Sequence, residues 1–129
     1  MGSLAASKAA LAAYRSIHSS LEGREGHLVL IEMLLDGLAA SLAGIKNAEI
    51  QGDGLERSAY IERASRIVIG LEKALDSRFN ADVASSLGFV YRHILKCLDL
   101  SARGGADSEK IDELLGLTNR IRSAFLRHD

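Results

Sequence analysis

The chain of 129 residues carries 16 Lys and Arg against 17 Asp and Glu, holds one cysteine and contains no proline. Its length suits one domain able to bury a continuous core without disulfides or metal. The near balance of charge excludes the broad positive field that draws proteins onto nucleic acid or anionic lipid. Cys97 alone can form neither an internal disulfide nor a cysteine zinc site, fits a reducing compartment, and reads as a small apolar group on a helix.

The first expected element is a short helical arm, Leu4 to Ile17, with Leu4, Leu11 and Tyr14 on one side. Its alanine-rich start holds Lys8 in the middle and lacks a basic leader, a poor pattern for a signal peptide. Ser19 to Gly26, polar and containing Gly23 and Gly26, reads as a loose tether. A first long helix is expected from Gly26 to Ile50, where Leu30/Ile31, Leu34, Leu38, Leu42 and Ile45 repeat at helical spacing. Glu32 and Asp36 interrupt its apolar run, so no membrane-spanning segment is expected.

Gln51-Gly52-Asp53-Gly54 supplies a stop and a turn. Ile61, Ala64, Val68, Leu71 and Leu75 then mark a second helix ending near Ser77. After a break at Arg78-Phe79-Asn80, Val83, Leu87, Val90, Ile94 and Leu98 mark a third, stopped by Ala102-Arg103-Gly104-Gly105. Asp107 or Ser108 can cap a fourth, carrying Ile111, Leu114/Leu115, Thr118, Ile121 and Phe125. Long helices joined by short turns must return antiparallel. The expected fold is therefore all-α, an antiparallel up-and-down four-helix bundle over residues 26–127, preceded by an arm and linker over 1–25.

The faces hold more apolar residues than such a bundle requires. On the first helix the apolar arc covers about half the wheel, and Val29 and Met33 fall outside even that. Phe89 and Leu95 point away from the third helix's stripe, and Ile69 away from the second's. Surplus apolar surface of this kind marks a site for another chain; the alternatives are coverage by the arm and ordinary scattered surface residues.

Site chemistry is sparse. None of His18, His27, His93 or His128 has a Glu three residues before it, as di-iron bundles require, and no two of them have the spacing of a helical zinc pair. No Gly-rich phosphate loop is present, and Asp112-Glu113 reads as a helix N-terminal dipole partner. No cofactor, metal or enzymatic activity is expected. His93-Ile94-Leu95-Lys96 resembles the His-x-Leu-Lys core of histidine phosphotransfer bundles, although Cys97 stands where that family usually has Gly. Phosphotransfer through His93 is one alternative function, and a helical adaptor or dimerisation domain is another.

Leu30-Ile31-Glu32-Met33-Leu34-Leu35-Asp36-Gly37 resembles the Leu-Ile-x-Met-Leu-Tyr-Asp-Gly signature of the FliS family, the flagellin-specific export chaperones. Ile61 to Leu71 is similar to that family's Ile-x-Lys-Ala-x-x-Ile-Ile-x-x-Leu. Leu75-Asp76 is similar to its Leu-Asp, and Leu87, Val90-Tyr91, Ile94 and Leu98 to its Leu-x-x-Leu-Tyr-x-Tyr-Met-x-x-x-Leu. Ile111 to Leu115 sits where it has Glu-Val-x-x-Leu-Leu. Leu35 and His93 replace two of the family's Tyr residues, Phe125 a Trp, and Arg24-Glu25-Gly26-His27 its Thr-Ala-Ser-Pro.

The resemblance implies a cytoplasmic chaperone wrapped by the disordered C-terminal segment of flagellin, preventing premature polymerisation and assisting export. It also implies an arm, with Tyr14, that occupies part of the client surface in the empty protein. The export gate or a flagellar regulatory protein are possible further partners by analogy, a homodimer is a further option, and neither nucleic acid nor membrane insertion is expected. Candidate partner-contacting residues are Val29, Met33, Leu35 and Asp36 on the first helix, Phe89, Tyr91, Arg92 and Leu95 on the third, and Tyr14 and Ile17 in the arm.

Overall fold

The computed structural model describes residues 24–75, 81–104 and 108–126. They form four helices, α1 (Arg24–Gln51), α2 (Gly54–Lys73), α3 (Ala81–Ala102) and α4 (Ser108–Leu126), and no strand occurs among the described residues. The expected arm, with Tyr14 and Ile17, lies outside them.

The turn after α1 shows how tightly local sequence sets the path. Gly52 adopts φ 70°, a left-handed conformation that side-chain-bearing residues avoid. It donates to the Glu49 carbonyl at 3.1 Å while Asp53 donates to Ala48 at 2.9 Å, satisfying two carbonyls that the end of α1 would otherwise leave open. Asp53 then caps α2, its carboxylate accepting the Glu56 backbone N–H at 3.0 Å.

The expected end of α2 near Ser77 is corrected: the helix stops at Lys73. Ala74 shares its N–H between the Gly70 and Leu71 carbonyls and Leu75 donates to Glu72, so the last turn tightens and unwinds. Similarly, α4 opens with Ser108 as its first helical residue, and Asp107 lies outside the described residues.

α1 is the central element, packing against both α2 and α4, while α3 packs against α2. Among the described residues α3 and α4 make no extended close backbone approach. The registers run antiparallel. Along α1 and α4, Asp36 meets Arg122 at 2.7 Å and Lys46 meets Asp112 at 2.6 Å. Along α1 and α2, Leu34 lies against Gly70, Gly44 against Tyr60, and Glu49 accepts from Arg57 at 3.0 Å. Along α2 and α3, Arg57 reaches Ser101 near one end, and beyond the other Leu75 lies against Gly88.

The core joins Ile31, Leu34, Leu38, Leu42 and Ile45 of α1 to Ile61, Val68 and Leu71 of α2, Tyr91, Ile94 and Leu98 of α3, and Ile111 and Leu114 of α4. Ser41 and Thr118 are buried there with their hydroxyls satisfied, each donating to the carbonyl one turn earlier, Gly37 and Leu114. The α3 stripe differs from expectation at its start. Val83 is exposed and Leu87 and Val90 only half-buried; apart from Gly88, full burial begins with Tyr91, Ile94, Cys97 and Leu98.

The apolarity of α1 serves the core. An 18-residue stretch within Leu28–Gln51 has a mean hydropathy of 1.9, enough to cross a membrane by length and composition alone, Glu32 and Asp36 notwithstanding. A helix flanked by two neighbours must bury apolar residues on two sides, and the bundle uses that apolarity as core.

Candidate protein-binding surface

Phe89, His93, Lys96 and Leu100 recur along α3 at steps of four, three and four, which places them in one row. Tyr91, Ile94 and Leu98 occupy the opposite side, in the core, so the row faces outward. Phe89 is 70% and Leu100 48% exposed, and His93 and Lys96 are exposed between them. Arg92 is exposed beside the row, and neither Arg92 nor Lys96 has an ion-pair partner among the described residues. The result is a strip from Phe89 to Leu100 of apolar anchors with exposed cations at its edge, able to accept the apolar face of another helix or extended segment.

The other candidates fall in three places. Leu95 is half-buried against the core, and Val29 and Met33 are half-buried on α1. Asp36 is exposed, but its carboxylate is held by Arg122, whose Nε donates to Oδ1 at 2.8 Å and whose Nη1 donates to Asn119. Leu35 and Tyr91 are corrected: at 0% and 1% exposure they are core residues that a partner cannot touch in this conformation. Leu35 is enclosed because α1 has neighbours on two sides. The Tyr91 hydroxyl has no hydrogen-bond partner among the described residues, and burial pushes its phenol up to about 12.

Sequence reasoning missed Ile50 and Leu55, exposed at 79% and 88% on either side of the α1–α2 turn. The available signal was their position next to the Gly-Asp-Gly turn, out of step with both core stripes. The His93 ring lies with Nε2 3.7 Å from the buried Cys97 thiol. Among the described residues no group of three or more His, Cys, Asp or Glu side chains could hold a metal ion.

The model of the family described as "Flagellar protein FliS" matches residues 9–127. The chain belongs to the FliS family. It is 28% identical over 113 residues to a flagellar secretion chaperone FliS of Campylobacter jejuni, covering 88% of each chain. It is also 28% identical over 96 residues to a flagellar secretion chaperone FliSB of Pseudomonas aeruginosa, covering 74% of this chain and 75% of that one. No solved structure matches. The FliS match runs through all four helices, including the α3 turn that holds His93, and nothing in the comparisons favours a phosphotransfer reading.

Proposed function

We propose that this FliS-family protein holds the C-terminal segment of flagellin along the outward row of α3, with Phe89 as its main anchor. The chain is a flagellar secretion chaperone rather than an enzyme, and it acts on flagellin in the cytoplasm before export. The observation that supports the site is the row itself: a bundle that exposes Phe89 and Leu100 on one helix face, beside Arg92 and Lys96 that have no ion-pair partner among the described residues, retains apolar surface of no use to its own core. Half-buried Leu95, Met33 and Val29 would extend the contact as the client spreads around the bundle. A segment that is disordered before binding loses conformational entropy when held, so it needs a long surface rather than one pocket.

The arm belongs to the same proposal. Tyr14 and Ile17 would cover part of the client surface in the empty protein, lowering client affinity by the fraction of molecules closed. The export gate or a flagellar regulatory protein would engage the loaded chaperone. Calorimetric titration with the C-terminal segment of flagellin from the same organism tests the reading. Saturable binding is expected, weakened about tenfold by Phe89→Ala, a loss of about 1.4 kcal/mol. Absence of binding to the wild-type protein would overturn it.

A further inference from the structure

The hydrogen bonds of one arginine bring three helix ends together. Arg57, at the start of α2, donates to Glu49 near the end of α1 and to the Ser101 carbonyl and hydroxyl at the end of α3, at 3.0, 3.1 and 2.7 Å. Lys46–Asp112 places the start of α4 at the same end. Two of the large exposed apolar side chains sit on this end, Ile50 and Leu55, beyond the foot of the α3 row.

The charges around them are not balanced. Every described cation here is already engaged: Lys46 with Asp112, Arg57 with Glu49, Arg103 with Asp99 and Lys110 with Glu113. Asp53, Glu56 and Glu109 have no ion-pair partner among the described residues. The end is therefore apolar at its tip and negative at its edge, whereas the middle of the α3 row is apolar and positive.

We infer that this end of the bundle is a second docking surface, for a protein segment that presents apolar side chains flanked by Lys or Arg. Complementary charge steers such a segment to the tip and fixes its orientation, while Ile50 and Leu55 supply the area that is removed from water. The same charges disfavour the other candidates. Anionic lipid and nucleic acid are repelled, and a second copy meeting tip to tip would set Asp53, Glu56 and Glu109 against their own images. The surface goes beyond the client reading and does not require it, because the α3 row recruits through cations and the tip through acids.

The test uses the full chain and two synthetic amphipathic helical peptides with the same leucine face, one flanked by Lys and Arg and the other by Glu. The basic peptide is expected to bind, with backbone amide shifts centred on Ile50 and Leu55, and to weaken as salt rises. Ile50→Ser with Leu55→Ser should cost tenfold or more in affinity while leaving the melting temperature unchanged, and Glu56→Gln should reduce affinity and salt dependence together. Saturation with the flagellin segment should not displace the peptide. Absent binding, equal binding of the acidic peptide, or shifts centred on Phe89 would overturn the inference, as would displacement by flagellin. Self-association abolished by Leu55→Ser would assign the tip to a second copy and overturn it equally. Flagellin binding measured on the same double variant should be unchanged, so the client reading stands or falls separately.

Discussion

A Cβ built on Gly44 would lie 2.6 Å from the Tyr60 ring, so α1 and α2 cross where only a hydrogen fits. The ring lies half-buried over that gap and packs against the core. Alanine at position 44 gains about 0.5–1 kcal/mol in helix propensity, but displacing the ring costs about 1–3 kcal/mol. Gly44→Ala should therefore be net destabilising, and adding Tyr60→Ala should make the methyl favourable rather than costly. Urea denaturation of the two single variants and the double variant measures that coupling. A Gly44→Ala protein at least as stable as wild type would contradict the tight crossing.

Leu38 is fully buried on the central helix, and Leu38→Ala should cost about 2–5 kcal/mol. The half-buried Leu87 should cost less, about 1–2 kcal/mol, because its contacts and its residual cavity are smaller. Denaturant midpoints in the reverse order would misplace the core of α3.

Tyr91 makes stability depend on alkaline pH. The folded phenol keeps its proton to about 12 whereas the ordinary value is 10.0, because burial disfavours the charged form. Between those values the unfolded chain has released a proton that the folded protein retains. This contribution is complete below pH 10 and is lost as pH rises toward 12, by about 2–3 kcal/mol. Tyr91→Phe should remove this slope and gain about 1 kcal/mol at neutral pH, since it deletes a buried hydroxyl that has no partner among the described residues. Comparing the two proteins across the range isolates Tyr91 from lysine titration, and identical slopes would show that the phenol is solvated.

Arg57 joins three helix ends from a side chain that is 19% exposed. Arg57→Ala leaves Glu49 and the end of α3 without their partner and should cost about 1.5–3 kcal/mol. The effect should be local as well as global. Cys97, the chain's one cysteine, is 5% exposed and lies one turn before Ser101, so freeing that end should raise its thiol-labelling rate under native conditions more than tenfold. A rate unchanged from wild type would mean that α3 is held by its apolar contacts alone.

The four helices were legible because each apolar period ends at glycines or polar breaks, as Gln51-Gly52-Asp53-Gly54 shows. The faces were less so. A helical wheel counts apolar residues without counting neighbours, so the wide arc of α1 looked like surplus, yet Leu35 is core because α2 and α4 flank the helix on two sides. Val83 shows the converse, matching the period near the start of α3 but remaining exposed. Phe89 was legible because it stands opposite its own stripe. Arg57 was not: its bond to Ser101 spans 44 positions of chain, and no local pattern announces it.

The central position of α1 also governs how the protein is made. α1 meets α2 and α2 meets α3 as chain neighbours, but the α1–α4 contact joins Asp36 to Arg122, 86 positions apart. Contacts of short chain separation form early, and closing the long loop is slower. During synthesis α4 is the last of the four described helices to emerge, so the α4-facing side of α1 stays uncovered until it docks. Until its last helix docks, the nascent chaperone bares an apolar surface of its own, the same hazard from which it shields flagellin.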